Sequence, residues 1–300
     1  MYVVTGATGH TGNVVAKALL TKREKVRVVG RNPDRLKPLV AQGAEPFSAD
    51  LSDTASIAKA FAGAKAVYVM MPPNLASPNF RGFQNRVTDA VAAALKSAGI
   101  MHVVTLSSIG ADKTEKTGPV VGLHYLERQL NRIDGLNVLH LRAGYFMENT
   151  LAQVDIIRMA GMAVGPLRPD LKLPMIATRD IGDAAANALL NLDFSQKQTR
   201  ELLGQRDISM AEVAQIIGRA IDKPNLQYTQ APDEQVRAAL IQLGMSSNMA
   251  DLILEMSAAL NSGYMRASEP RSAKNTTPTS YETFVAEEFV PLYEGRSAAA

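Results

Sequence analysis

Tyr2-Val3-Val4-Thr5-Gly6-Ala7-Thr8-Gly9-His10-Thr11-Gly12 opens as a short apolar run and passes directly into glycines spaced three apart. Asn13-Val14-Val15-Ala16-Lys17-Ala18-Leu19-Leu20 follows, with its apolar side chains at helical spacing. A strand, a glycine-rich turn and a helix start are the parts of a phosphate-binding βα unit. Glycine lets the backbone turn tightly and approach a ligand, while the helix N-terminus offers unpaired N–H groups and a partial positive charge. The spacing differs from the G-x-G-x-x-G of the common dehydrogenase fingerprint. Any tight turn can use glycine, so it is the placement of these between a strand and a helix that makes them a nucleotide signal.

The next stretch refines the ligand. Lys25-Val26-Arg27-Val28-Val29-Gly30-Arg31 reads as a second buried strand ending in glycine and arginine. In a doubly wound sheet the end of the second strand lies beside the adenosine ribose, where an acidic residue would select NAD. Arg31 stands there instead, able to fork onto a 2′-phosphate and stack on adenine, and so favours NADP over NAD. The alternative is a surface arginine at a strand end. Asn32-Pro33 starts a helix that stops at Gly43, and 44–51 is a third short strand and its exit. Asp50 at that exit either accepts a hydrogen bond from adenine or caps the helix over 54–61.

Further strands are expected over 66–70, 102–106 and 136–142, and further helices over 83–98 and 121–132. Alternating strands and helices with short connections predict a right-handed, Rossmann-type doubly wound parallel sheet in residues 1–150. Residues 151–300 turn mainly helical and read as a smaller substrate lobe, with helices over 150–160, 180–191, 209–222, 233–243, 247–260 and 279–289. Extended pieces at 172–177 and 226–230 either join the sheet or form a small β element, and the stretch 172–191 is a candidate to pack back onto the first domain. Residues 262–279, poor in large apolar side chains, read as a surface loop or lid. Residues 296–300 read as a frayed tail.

Three hundred residues suffice for a large core. The absence of cysteine excludes disulfides, thiolate metal sites and cysteine nucleophiles. Neither a signal peptide nor a membrane-spanning run is evident, which points to the cytoplasm. Residues 1–150 hold 18 Lys+Arg against 11 Asp+Glu, and 151–300 hold 14 against 18. The basic half either reflects solvated faces or holds a polyanionic ligand. No basic run with interleaved aromatics suggests nucleic acid. His10, His102, His124 and His140 form no metal-binding spacing, so no metal is expected.

Several segments together resemble one family. Gly6-Ala7-Thr8-Gly9-His10-Thr11-Gly12, Gly30-Arg31, Leu123-His124 with Glu127, Leu141-Arg142 and Gly144-Tyr145-Phe146-Met147-Glu148-Asn149 look like the NmrA-like branch of the atypical short-chain dehydrogenase/reductases. The closing Thr277-Pro278-Thr279-Ser280-Tyr281-Glu282-Thr283-Phe284, with Pro291-Leu292-Tyr293, is similar to its C-terminal signature. The resemblance covers nearly the whole chain. It implies NADP(H) on the Rossmann domain, with the pyrophosphate on the turn from Gly6 to Gly12, nearest Thr8, His10 and Thr11. It implies Arg31 on the 2′-phosphate, Asp50 and Leu51 beside adenine, Met71 and Pro72 along the nicotinamide ribose, and Tyr145–Asn149 on the nicotinamide side. Members include NADPH-dependent quinone reductases and proteins that only sense the cofactor.

One departure bears on chemistry. Standard short-chain reductases pass a proton from the tyrosine of a Tyr-x-x-x-Lys helix. Here Tyr125 is followed four positions on by Gln129, and His124 by Arg128. His124 is the candidate to hold the nicotinamide ribose or donate a proton, or else it makes a structural hydrogen bond. Ser107 is the candidate to orient the carboxamide, or else it is a turn residue. Tyr145 and Phe146 stack on an aromatic substrate or serve as core. The leading expectation is an NADPH-dependent oxidoreductase acting on a small molecule such as a quinone. A non-catalytic NADP(H) sensor that binds a partner protein is the main rival. A sugar-nucleotide epimerase or dehydratase is weakened by the missing tyrosine–lysine pair.

Overall fold

The apolar opening run lies near the middle of a parallel sheet in the computed structural model, which describes residues 1–296. Six strands come from the first half: β1 (Tyr2–Thr5), β2 (Val26–Gly30), β3 (Glu45–Ser48), β4 (Ala66–Val69), β5 (His102–Ser108) and β6 (Asn137–Ala143). Short strands β7 (Tyr145–Phe146), β8 (Ala163–Gly165) and β9 (Lys172–Ile176) follow, and then β10 (Lys197–Leu202) returns to the main sheet. Its order is β10-β6-β5-β4-β1-β2-β3, seven strands with every pairing parallel. Chain direction across the sheet reverses between β1 and β4. That reversal opens a crevice at the C-terminal strand ends, where α/β folds bind ligands.

Helices cover both faces, as a buried parallel sheet requires. One face carries α1 (His10–Thr21), which presents Val15, Ala16 and Leu19 inward. Next come a 3-10 turn (Pro33–Leu36), a short α2 (Lys37–Val40), α3 (Thr54–Phe61), α4 (Phe80–Ser97) and α5 (Val120–Asn131). The other face is built by α3, α4 and α5, whose Ile57, Phe61, Val87, Val91, Leu126 and Leu130 pack on Val3, Val67 and Val103. Burying each such side chain contributes about 1.5–3 kcal/mol. After α6 (Gln153–Ala160), α7 (Thr178–Asn191) lies beside α1, and its Ile181, Ala185 and Leu189 share a core with Tyr2, Val4 and Tyr68.

The apolar face of residues 178–202 therefore packs with the first 150 residues, while Asp180 and Glu201 bond to residues 268–279. The helical lobe holds α8 (Met210–Ala220), α9 (Asp233–Gln242), α10 (Ser247–Asn261), α11 (Tyr281–Phe284), a π-helical turn (Val285–Phe289) and α12 (Val290–Tyr293). Its core gathers Met147, Val213, Ile217, Tyr281, Phe284 and Phe289. The extended pieces near 172–177 and 226–230 are both strands. β9 pairs with β7 and with β11 (Asp207–Ser209), and β12 (Tyr228–Gln230) pairs with β8.

Two expectations change. Strand β10 was not foreseen, because Lys197-Gln198-Thr199-Arg200-Glu201 is polar; it is an edge strand whose backbone pairs with β6 on one side only. The stretch 262–279 is not a free lid. Asn275, Thr277 and Thr279 are buried, the Leu203 N–H donates to Asn275 O at 2.8 Å, and Asp180 accepts from Thr279 N at 3.0 Å and Oγ1 at 2.6 Å. Of the tail expected over 296–300, residues 297–300 lie outside the described ones. Among the described residues no helix is long and apolar enough to cross a membrane.

Candidate functional site

The glycine turn shapes the crevice through its backbone. Gly6 has φ +62°, in the left-handed region, and a Cβ there would fall 2.0 Å from Met70 Sδ. Gly12 does not line the crevice. A Cβ on it would sit 2.4 Å from Gly6 O, so its bareness lets α1 dock against the turn. Gly9 is the N-cap of α1 with extended backbone (φ −94°, ψ 171°) and no side-chain cap. The first N–H groups of the helix therefore face the crevice without a protein anion, ready for a phosphate. Beneath them, the buried Tyr68 hydroxyl donates to Thr11 Oγ1 at 3.0 Å.

A cleft of about 400 Å³ runs along this turn, lined there by Gly6, Thr8, Gly9, His10 and Thr11. At the ends of β2 and β3 it is lined by Arg31, Arg35, Asp50 and Leu51, and at the end of β4 by Met70 and Pro72. Asp50 Oδ1 accepts from Ser52 Oγ at 2.7 Å and Ser52 N at 2.8 Å, and these bonds hold its carboxyl below the usual range. The cap of α3 is Asp53, which accepts from Ala55 N and Ser56 N. So the helix-capping alternative for Asp50 is replaced by its neighbour three residues on. Glu148, within the expected segment Tyr145–Asn149, also lines the cleft, and so does Thr178, which was not foreseen. Glu148 Oε1 accepts from Thr178 N at 2.8 Å and Oγ1 at 2.5 Å, and burial pushes its carboxyl up.

A second chamber of about 450 Å³ adjoins the first and shares Met70, Pro72, Pro73, Leu106, Phe146 and Asn149 with it. Met71 and Tyr145, expected along the cofactor, line this chamber and not the cleft, while Met70 lines both. Met249, Ile253, Met256 and Leu260 of α10 form its roof. No Asp, Glu, Lys, Arg or His lines it among the described residues. The roof is tied down: Ser246 N donates to Leu75 O at 2.9 Å and Ser246 Oγ to Ser77 O at 2.6 Å. Asn248 Oδ1 accepts from Phe80 N at 2.8 Å, and Glu255 joins Arg81 at 3.0 Å and the Gly118 N–H at 3.1 Å.

Ser107 also lines the second chamber, and its hydroxyl is already committed. It donates to Glu127 Oε1 at 2.6 Å, while Arg142 grips the same carboxylate with Nε at 3.0 Å and Nη2 at 2.6 Å. Ser107 and Glu127 are 2% and 4% exposed. With its hydrogen spent, Ser107 Oγ has only lone pairs left, so it is an acceptor toward the chamber. Behind it, His140 Nδ1 meets Thr105 Oγ1 at 2.7 Å and Nε2 meets Asn131 Oδ1 at 3.1 Å. A carboxamide oxygen only accepts, so Nε2 carries the hydrogen and the Thr105 hydroxyl donates to Nδ1. Burial pulls His140 down to about 4 and keeps the ring neutral near pH 7. Glu127 and Arg142 are identical in type to many surface charges in sequence; only their long-range meeting reveals the network.

His124 is not brought to either chamber. Val120 and Leu123 of α5 face the second chamber, whereas His124 bonds Ala111 O through Nδ1 at 2.8 Å. It lines a separate surface depression with Arg81, Tyr125 and Arg128, which shares no lining residue with the two chambers among the described residues. Placed there it bonds the backbone of Ala111 and lines neither chamber. Tyr125 donates to Asp89 Oδ1 at 2.8 Å on the same exposed face.

Strand order, glycine cradle and crevice together define a Rossmann-type nucleotide-binding protein. The chain belongs to the NmrA-like family, whose model matches residues 2–290. It is 28% identical over 267 residues to the NAD(P)H azoreductase of Xenophilus azovorans, covering 88% of this chain and 89% of that one. It is 26% identical over 268 residues to quinone oxidoreductase 2 of Escherichia coli (strain K12), covering 88% and 89%. Among solved structures, an NADPH-dependent quinone oxidoreductase of Escherichia coli complexed with NADPH superposes with a TM-score of 0.80 at 24% identity, covering 98% of this chain and all of that one.

Proposed function

We propose that this chain is an NADPH-dependent oxidoreductase that reduces quinones or similarly conjugated, uncharged acceptors. The observation that carries the reading is the shared wall: a cleft shaped for phosphate adjoins an apolar chamber without a charged lining residue among the described residues. The residues fit the dinucleotide. Gly6 and Gly9 line the cleft with bare backbone, the uncapped start of α1 suits a pyrophosphate, and Arg31 with Arg35 suits a 2′-phosphate. When bound, the reduced nicotinamide supplies a hydride, and the protein's share is orientation and exclusion of water. Ser107 Oγ, held as an acceptor by Glu127, suits an amide N–H of the carboxamide. Met70, Pro72, Leu106 and Phe146 line both chambers and present apolar surface where they adjoin.

A quinone also asks little of the protein's acids. Its two-electron reduction yields a phenolate whose parent acid resembles tyrosine, with a pKa of about 10, so water can protonate it near pH 7. This accords with a helix α5 that lacks Tyr-x-x-x-Lys and with Tyr145, which burial pushes up to about 12. The similarity to an azoreductase and a quinone oxidoreductase supports the same reading. The open second chamber favours turnover over pure cofactor sensing, which needs no cavity beside the nicotinamide. Following NADPH absorbance with benzoquinones, an azo dye and simple aldehydes tests it: oxidation with quinones and little with aldehydes is expected. Tight NADPH binding without oxidation by any acceptor would overturn it in favour of sensing.

A further inference from the structure

A third cavity, of about 340 Å³, lies on the far side of the second chamber under residues 263–271. The two share Ile109, Leu260 and Met265, so these three side chains are the partition between them. Leu171, Leu173 and Leu203 continue the apolar wall beyond the partition. Charged residues line it as well: the partly buried Arg271 pairs with Asp207 and donates to Leu203 O, and Lys172, Arg266 and Glu269 are exposed.

The partition has one movable part. Met265 is 5% exposed and packs over Gly110, where a Cβ would lie 2.6 Å from its Cγ. Gly110 has φ +83°, so both its conformation and its bareness make room for the thioether. An unbranched methionine changes rotamer at low cost, unlike the branched Ile109 and Leu260 beside it. The loop itself is fixed. Its backbone is held by Met265 N to Ala259 O at 2.9 Å and by Ser268 N and Glu269 N to the Glu201 carboxylate at 2.8 and 3.0 Å. Opening the partition therefore needs a side-chain swing and no loop displacement.

We propose that this third cavity is a side-arm subsite, in which an extended apolar substituent on the acceptor ring passes Met265 while the ring stays in the second chamber. The proposal rests on the second chamber being the acceptor site. It follows from continuity of the apolar wall across a methionine partition, and from exposed charged lining residues that let the end of the arm emerge into water.

The test uses the whole protein saturated with NADP⁺, so that acceptors bind without being reduced. Benzoquinones carrying alkyl arms of increasing length are titrated calorimetrically against it. Affinity is expected to rise by up to about fourfold for each methylene that enters the subsite. Ala267→Phe narrows the third cavity and is expected to remove most of that gain relative to the unsubstituted ring. Ala267→Leu gives a smaller loss of the same kind and serves if the phenylalanine variant does not fold. Equal affinity at every arm length in the wild type, or a gain that survives in both variants, overturns the subsite. Absence of NADPH oxidation with every quinone would instead overturn the proposed activity, and the titration would still report on the subsite.

Discussion

The dinucleotide cradle and the acceptor chamber share a wall but are built in opposite ways. The cradle is local and made of backbone: Gly6 to Gly12, the uncapped start of α1 and the end of β2 lie within the first thirty or so residues. The chamber is assembled from residues 70–84, 106–123, 144–149 and 249–265, almost all apolar. A phosphate is recognised by N–H groups and cations at fixed places. A flat conjugated acceptor is recognised by apolar contact area, which any large side chain can supply. The difference explains why one half of the site constrains its ligand to a chemical group and the other only to a polarity and a size.

Breaking the long-range half should cost most. Glu127→Ala leaves Arg142, whose side chain is 14% exposed, without its anion, and about 3–5 kcal/mol of stability is expected to go, read from urea midpoints. Ser107→Ala, which removes one hydrogen bond and leaves the pair intact, is expected to cost about 1 kcal/mol. Similar losses for the two would show that the ion pair does not hold β5, β6 and α5 together. The neighbouring His140 adds a pH dependence. It takes up a proton below about 6.5 when unfolded but only below about 4 when folded. The unfolded state binds more protons across that window, so this group's contribution to stability falls as pH drops from 6.5 toward 4, by on the order of 3 kcal/mol. In His140→Gln the acid slope is expected to flatten by that amount, and an unchanged slope would contradict the assignment.

The cradle side is sharpened by smaller changes. Arg31→Ala is expected to weaken NADPH by about ten- to a hundredfold and NADH hardly at all, from the loss of charge-assisted hydrogen bonds to a phosphate. Equal weakening of both cofactors would take the arginine off the 2′-phosphate. The smallest effect belongs to Tyr125→Phe. Its hydroxyl donates to Asp89 on a face away from both chambers, so turnover is expected to stay unchanged and stability to move by less than about 0.5 kcal/mol. A collapse of turnover would bring tyrosine catalysis back.

The same contrast governs what could be read from the chain. The sheet, its strand order around β1 and the placement of Arg31 are legible because strand, turn and helix chemistry act over a few neighbouring residues. Gly12 was read with its fellow glycines, yet its role is packing, which only Gly6 O at 2.4 Å reveals. Nothing in the spacing of Met249, Met256 and Met265 distinguishes a cavity wall from a filled core. Residues 262–279, polar and poor in large apolar side chains, read as a surface loop or lid; much of the stretch is exposed, but Asn275, Thr277 and Thr279 are buried. Buried polar groups are tolerated once hydrogen-bonded: the Asn275 side chain bonds Ser272 N and Pro270 O within the loop, while Thr279 finds Asp180 about 100 residues away in sequence, a meeting no local pattern encodes. His124 was drawn toward the crevice by its motif, and its bond to Ala111 O turns it away.

The central claim, that a charge-specific cradle feeds an uncharged chamber, is tested most directly by comparing a naphthoquinone with its sulfonate as acceptors at saturating NADPH. Placing an unpaired anion in the chamber carries a desolvation cost that no lining charge offsets. The expected result is a kcat/KM at least about tenfold higher for the neutral quinone, carried mainly by KM. Equal efficiency, or a preference for the sulfonate, would contradict the account.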